Sequence, residues 1–165
     1  MPVASKVHIW IWAFCLVAVI GLMSFGLYLE HVKYLDPCPL CITQRLFYIM
    51  IGLFALVGLV AFRSRLIQRI AASLMFLSAI GGIVTAGRQV WLQHLPADQV
   101  PACGPGLQYW LDNNPMLETL SLLFKGDGNC AEVQWQFLGL SIGEWSLAWF
   151  VLFMSLSVYQ FFKTR

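Results

Sequence analysis

Four long apolar segments, separated by shorter polar stretches, dominate the pattern of this sequence. They cover about residues 9–29, 42–62, 67–87 and 142–162, and the third could also extend to Gln93. Each is close to the roughly 20 residues that a helix needs to cross about 30 Å of hydrocarbon. Helices are favoured because the backbone groups of an open strand stay unsatisfied in lipid. The pattern therefore predicts an all-α, integral membrane four-helix bundle.

The composition supports a membrane protein and excludes a soluble globular one. The chain has 165 residues, of which 59% are hydrophobic and 11% charged, and its mean hydropathy is +0.74. Soluble domains are nearer half apolar and a quarter charged. The formal net charge of +2 is too small to indicate nucleic-acid binding. We expect a single membrane domain over residues 1–165.

Charged side chains are distributed unequally between the two ends of the predicted helices. One end carries basic residues, namely Lys6, Arg63, Arg65, Arg69, Lys163 and Arg165, and the other carries all eight acidic residues. Because short loops rich in Lys and Arg stay in the cytoplasm, we expect both termini to be cytoplasmic. The loops 30–41 and 88–141, with four of the five cysteines, then face outward, where disulfides persist.

A Cys-x-x-Cys motif, Cys38-Pro39-Leu40-Cys41, lies where the second helix is expected to begin. Cys38 suits the capping position, and proline suits the first helical position. Cys41 would then lie in the first turn, where free N–H groups and the helix dipole favour a thiolate. Arg45 is one turn further along the same face, and a cation just inside a membrane is a functional candidate. These features favour a redox-active pair.

Three other interpretations of this motif are weaker. Haem attachment requires a histidine directly after the second cysteine, but residue 42 is isoleucine. A zinc site requires further cysteine or histidine ligands at a suitable spacing, which the sequence lacks, so we expect no metal. A purely structural disulfide stays open, although so short a loop would add little stability.

The other two outward cysteines, Cys103 and Cys130, lie in the long polar loop. A disulfide between them would close a loop of 28 residues and stabilise the fold by roughly 3.6 kcal/mol. A structural staple is therefore one interpretation. An exchangeable disulfide is the other, because both cysteines lie in glycine-rich sequences typical of exposed, flexible loops. The flexible setting favours exchange.

The long loop also contains an amphipathic segment. Its apolar positions would form one face of a short helix, broken near Pro115: Leu107, Trp110, Leu111, Leu117, Leu120, Leu123 and Phe124. A helix of this kind lies along a membrane surface. It either caps the bundle or holds Cys103 near the bilayer while the loop moves.

The remaining notable residues of the spans have structural interpretations, except Arg88, for which two interpretations stay open. Cys15, in the middle of the first span, is expected to be a small packing residue. Small residues recur at every fourth position of the third span, which favours close helix packing; they are Ser78, Gly82 and Ala86. Arg88, at the outer end of that span, either helps Arg45 to hold a polar headgroup or extends to the membrane surface.

Together, these residues resemble the disulfide bond formation protein B (DsbB) family. The resemblance covers nearly the whole chain, and two segments carry it. They are Cys38-Pro39-Leu40-Cys41-Ile42-Thr43-Gln44-Arg45 and Cys130-Ala131-Glu132-Val133-Gln134-Trp135-Gln136-Phe137-Leu138-Gly139-Leu140. In bacteria the DsbA–DsbB–quinone system keeps the periplasm oxidising.

The resemblance implies a protein dithiol:quinone oxidoreductase of the bacterial inner membrane. A reduced DsbA-type periplasmic thiol oxidase would attack the outer disulfide at Cys103, and the released Cys130 would attack Cys38. Cys41 would then pass electrons to ubiquinone or menaquinone. The family also implies that Arg45 stabilises the Cys41 thiolate and the quinone oxygen.

The chain departs from the family at one position. Members often carry a histidine near the outer end of the third helix, where this chain has Arg88 and Gln89. A part for Arg88 in quinone binding therefore follows only from its expected position near Arg45.

Two other functions fit part of the pattern. A non-enzymatic four-helix scaffold with structural disulfides explains the spans and the cysteine pairs, but it does not need Cys41 beside Arg45. A vitamin-K-epoxide-reductase-like enzyme shares the chemistry, but its motifs match this chain less well.

Overall fold

The structure is a computed structural model that describes residues 3–61, 63–96, 98–104, 109 and 112–163, with side chains from residue 7 onward. The α-helices with described bounds are α1 (Val3–His31), α2 (Pro39–Val60), α3 (Arg65–Gln93), α4 (Met116–Lys125) and α5 (Ile142–Lys163). All except α4 are long and apolar enough to cross a membrane. The predicted all-α membrane four-helix bundle is confirmed.

Local capping explains where two of the spans begin. Cys38 caps α2, its sulfur accepts a hydrogen bond from the backbone N–H of Cys41, and Pro39 takes the first helical position, as predicted. α5 begins with a capping box, in which the Ser141 N–H donates to the Glu144 carboxylate and the Glu144 N–H donates to the Ser141 hydroxyl. Both starts satisfy backbone donors that a helix otherwise leaves free.

The helices extend beyond the predicted spans. α1 begins at residue 3 instead of 9, and α3 continues to Gln93, the farther of the two ends expected for the third span. Hydropathy marks the part of a helix that lies in hydrocarbon, whereas backbone hydrogen bonding continues into the polar region. The predicted end of the second span, Phe62, lies outside the described residues.

The bundle packs in sequence order, α1 on α2, α2 on α3, and α3 on α5, while α1 and α5 touch only lightly. The small-residue face of α3 is buried as predicted. Gly82 lies so close to α5 that an added Cβ would come within 2.3 Å of the Phe150 ring. Cys15 is fully buried in the core, which confirms its packing role.

The outer end of the bundle is covered by α4, a 3-10 turn (Gly128–Cys130) and a small hairpin of β1 (Gln136–Phe137) and β2 (Leu140–Ser141). α4 packs on α2, where the Phe47 and Phe124 rings meet at 6.4 Å between centroids. α4 forms the second half of the predicted amphipathic helix. The predicted positions Leu107, Trp110 and Leu111 lie outside the described residues.

The two chain ends lie at the same end of the bundle. His8, near the start of α1, is hydrogen-bonded with Gln160, near the end of α5. The α2–α3 turn with Arg63 and Arg65 is at this end because the spans alternate in direction. The side chain of Lys6 and the residue Arg165 lie outside the described part.

Candidate thiol site

Cys38 and Cys41 lie together at the outer end of α2. Their sulfurs are 2.9 Å apart as free thiols, and the Cys41 backbone N–H donates to the Cys38 sulfur at 3.3 Å. Cys38 is buried, whereas Cys41 is partly exposed. Because they share the first turn of one helix, the two thiols are held as a pair.

Cys130 is the second neighbour of Cys38. The 3-10 turn places it at 1% exposure in a cluster with Cys38, Leu40 and Leu92. A side-chain hydrogen bond links Cys38 and Cys130. This bond is the main cause that raises the pKa of Cys38, with the Cys41 contact and burial adding to it. It also lowers the pKa of Cys130, against the effect of burial.

The expectation that Cys130 lies in an exposed, mobile stretch is wrong. The turn that carries Cys130 packs onto Leu40 of α2 and Leu92 of α3, so burial overrides the flexibility that its glycines suggest. Cys103 is exposed, as expected. It still lies against the same turn, since a Cβ added at Gly128 would come within 3.1 Å of the Cys103 sulfur. The four predicted cysteines therefore meet at the outer end of the bundle.

A cavity of about 350 Å³ opens beside the first cysteine pair. Its walls come from α1, α2, α3, α5 and the segment that leads into the hairpin. The polar residues that line it include Cys38, Cys41, Gln44, Arg45 and Gln89. Three tryptophans contribute to the apolar walls: Trp135, Trp145 and Trp149. Small-molecule sites are typically of this size and character, with few polar groups on apolar walls.

Arg45 shares this cavity with Cys41, as its position one turn later predicts. Its guanidinium forms an ion pair with Glu30 of α1 and donates to the Gly26 carbonyl at 3.3 Å. A cation at the membrane edge is costly unless it is paired. The ion pair therefore holds Arg45 at the cavity, a contact that the sequence pattern did not reveal.

Gln89 also contacts both cysteines, although the sequence marked it only as part of a departure from the family. Its Nε2 lies 3.4 Å from the Cys41 sulfur and 3.8 Å from the Cys38 sulfur. Its Oε1 accepts a hydrogen bond from Gln44 Nε2 at 2.7 Å, and both glutamines are buried. The Gln44 bond turns the N–H groups of Gln89 towards the sulfurs. The available signal was a pair of amides inside otherwise apolar spans, since polar residues there are often functional.

Arg88 lies elsewhere. Its guanidinium is 4.3 Å from the centroid of the Trp91 ring, and its Nε donates to the Lys125 carbonyl at 3.3 Å. Of the described residues that line the cavity, Gln89 is one and Arg88 is not. The geometry thus favours the surface interpretation of Arg88 over a shared headgroup site with Arg45.

Comparison with known proteins gives a consistent result. A family profile described as disulfide bond formation protein DsbB matches residues 8–160. Disulfide bond formation protein B 1 of Pseudomonas aeruginosa (strain PAO1) is 45% identical over 163 residues, which is 99% of each chain. Disulfide bond formation protein B of Hahella chejuensis is 48% identical over 143 residues, 87% of each chain. The corresponding protein of Acinetobacter baumannii is 48% identical over 154 residues, 90% of this chain and 86% of the relative.

The match covers all four cysteines, the cavity residues and nearly all of the four spans. This chain therefore belongs to the DsbB family of disulfide bond formation proteins, as a multi-pass membrane oxidoreductase.

Proposed function

We propose that this protein oxidises the dithiol of a periplasmic DsbA-type thiol oxidase and passes the electrons through its two cysteine pairs to a membrane quinone. The observation that carries the proposal is the order of the thiols. Cys103 is exposed, Cys130 is buried against Cys38, and Cys38 is paired with Cys41 at the cavity. That order leads from the aqueous side to the bilayer.

The first exchange takes place at Cys103, the exposed member of the outer pair. A donor thiolate attacks the Cys103 sulfur, the Cys103–Cys130 bond breaks, and Cys130 leaves as a thiolate. Cys103 is the more accessible of the two sulfurs, since Cys130 is buried, and this difference supports attack at Cys103.

The second exchange transfers the electrons to the inner pair. The Cys130 thiolate attacks the Cys38 sulfur, the Cys38–Cys41 bond breaks, and Cys41 leaves as a thiolate. The burial of Cys130 in one cluster with Cys38 supports this step. Gln89 is placed to donate a hydrogen bond to the Cys41 sulfur, at 3.4 Å.

The residues of the cavity fit a quinone headgroup. Aromatic walls suit a planar ring, Arg45 is a cationic donor for a ring oxygen, and Cys41 opens into the same space. A bound quinone, ubiquinone or menaquinone, supplies an acceptor for two electrons and two protons. Arg88 lies outside this set.

The proposed location is the bacterial inner membrane, with both termini in the cytoplasm. The basic residues of the α2–α3 turn and the end of α5 support this orientation, because positively charged short loops stay inside. The thiol site then faces the periplasm, where a soluble thiol oxidase reaches Cys103.

The test is quinone reduction by the purified protein, followed by ultraviolet absorbance with reduced DsbA as donor. We expect loss of oxidised quinone that requires both protein and donor. Cys103→Ala should abolish it, whereas Cys15→Ala, which alters a core residue of α1, should retain it. Full turnover in Cys103→Ala would contradict the relay. No reduction of either ubiquinone or menaquinone would favour a scaffold.

A further inference from the structure

Asp127 is a buried carboxylate in a loop whose four other acidic residues, Asp98, Asp112, Glu118 and Glu132, are exposed. It accepts hydrogen bonds at 3.1 Å from the backbone N–H groups of Gly104 and Asn129 and from the Asn129 side-chain amide. The Cys130 sulfur lies 3.8 Å from its Oδ1. One carboxylate thus connects the residue after Cys103 with the turn that carries Cys130.

Gly128 provides a second, independent connection between the same two segments. Its N–H donates to the Ala102 carbonyl at 3.2 Å. A Cβ at this position would lie 2.5 Å from the Pro101 carbonyl oxygen and 3.1 Å from the Cys103 sulfur. A larger residue would therefore clash at this position, because the Cys103 segment packs directly against the turn.

We propose that Asp127 and Gly128 form a clasp that keeps Cys103 against the Cys130 turn while Cys130 faces Cys38, so that Cys103 closes the outer disulfide again after each exchange. The inference rests on the proposed exchange between the two cysteine pairs. Asp127 is a positioning residue in it, since it acts by holding the backbone beside Cys103.

The step that the clasp assists is a thiol–disulfide exchange. When the donor departs as its own disulfide, Cys103 is left as a thiolate and Cys130 is bonded to Cys38. The Cys103 thiolate attacks the Cys130 sulfur, the Cys103–Cys130 bond forms, and the Cys130–Cys38 bond breaks. Cys38 leaves as a thiolate and takes up a proton. The two electrons from the donor then reside on Cys38 and Cys41.

The test compares two alternative disulfides in a Cys41→Ser background. Cys130 can then pair with Cys103 or with Cys38, and the ratio of the two is an internal equilibrium that needs neither donor nor quinone. It is measured by alkylating the free thiol and identifying the labelled peptide by mass spectrometry. Failure of the protein to use a quinone therefore leaves this test intact.

We expect Asp127→Ala to shift the ratio about ten-fold towards Cys38–Cys130, the order expected for losing a hydrogen bond to a charged group. Gly128→Ala should shift it in the same direction, because its Cβ displaces the Cys103 segment. Asp127→Asn, which keeps one acceptor oxygen, should shift the ratio less than Asp127→Ala does. The matched control is Asp98→Ala, an exposed aspartate of the same loop, which should leave the ratio unchanged.

An unchanged ratio in Asp127→Ala would overturn the clasp, as would an equal shift in Asp98→Ala. If Asp127→Ala does not fold, the disulfide ratio in Gly128→Ala alone tests the clasp, and an unchanged ratio there would overturn it. If the parent background forms neither disulfide, the exchange itself is overturned, and the clasp with it.

Discussion

At the scale of single residues, solvent access distinguishes cysteines that look alike in the sequence. Cys103 is exposed, while Cys38 and Cys130 are buried and hydrogen-bonded with each other. A thiol that donates such a bond ionises less readily, and a sulfur that accepts it ionises more readily. In the reduced protein the contact therefore favours a protonated Cys38 beside a Cys130 thiolate.

Removing the Cys38 thiol should make Cys130 harder to ionise. The lowered pKa of Cys130 depends chiefly on that donor, so in Cys38→Ala the pKa should rise. A thiol whose pKa is lowered by folding gives stability that is present at high pH and lost as pH falls through the folded-state pKa. In the variant this contribution should be smaller, and its loss should be complete at a higher pH.

The measurement is the alkylation rate of Cys130 in the reduced protein as a function of pH. The midpoint should move to higher pH in Cys38→Ala and stay in place in Cys15→Ala, whose thiol is buried elsewhere in the core. A midpoint that is the same in Cys38→Ala and the parent would show that the contact does not control Cys130.

Gln89 should contribute to turnover through the N–H that faces Cys41. Gln89→Leu removes this donor, and we expect a loss of about ten-fold, the order for a hydrogen bond to a charged sulfur. Gln89→Glu keeps an acceptor for Gln44 but presents an oxygen to the sulfur, so it should be at least as slow.

The assay for these variants is donor-dependent quinone reduction, with Gln99→Leu in the exposed part of the loop as control. Full turnover in Gln89→Glu would remove hydrogen bonding to Cys41 from the explanation.

At the scale of helices, close approach of α3 to its neighbours fixes where the site residues meet. Gly82 admits the Phe150 ring of α5, and Gly81 admits the Phe47 ring of α2. Small residues give such contacts in membranes, where apolar burial gives helices no reason to associate. Because Gln89 lies two turns further along α3, this packing also sets its distance from the cysteines of α2.

Alanine substitution at two glycines of α3 should change the stability of the fold in opposite directions. In Gly82→Ala the new Cβ meets the Phe150 ring at 2.3 Å, and overpacking of this kind costs about 1–3 kcal/mol. In Gly87→Ala no atom lies within 4 Å of the new Cβ. Alanine is preferred over glycine inside a helix by roughly 0.5–1 kcal/mol, and no clash should offset this stabilisation.

Thermal unfolding in detergent, followed by circular dichroism, measures this difference. The Gly82→Ala midpoint should fall and the Gly87→Ala midpoint should stay level or rise. Equal midpoints would show that α3 and α5 adjust without strain.

At the scale of the whole molecule, charge divides the protein along the axis of the bundle. The end with both termini carries Arg63, Arg65 and Arg69, and the other end carries the thiol site. Between them, large apolar side chains such as Trp10, Leu53 and Val84 are exposed around the helices. That belt suits contact with lipid and leaves charge to set the orientation.

Reporter fusions test the orientation. A green fluorescent protein fused after Arg165 should fluoresce, and alkaline phosphatase fused there should be inactive, because the C-terminus is expected in the cytoplasm. After Gln99 in the outer loop, fused alkaline phosphatase should be active and fused green fluorescent protein should not fluoresce. Active phosphatase after Arg165 would invert the proposed topology.

The sequence predicted those features of the fold that depend on local patterns. The spans follow from hydropathy, and the Cys38 cap with Pro39 follows from helix-end chemistry. The burial of Cys130 was not predictable because it depends on a loop packing onto Leu40 and Leu92, far away in the chain. Likewise, the Glu30–Arg45 pair and the orientation of Gln89 arise only when helices are placed side by side.

The covered contact between Cys130 and Cys38 has a consequence for redox control. At 1% and 7% exposure, these sulfurs are shielded from small thiols dissolved around the protein. Dissolved thiols such as glutathione therefore have little direct access to Cys38 and Cys130. Under the proposed relay, a dissolved thiol would have to react first at exposed Cys103 or at partly exposed Cys41, so occupancy of the cavity beside Cys41 should also control which reductants reach the inner pair.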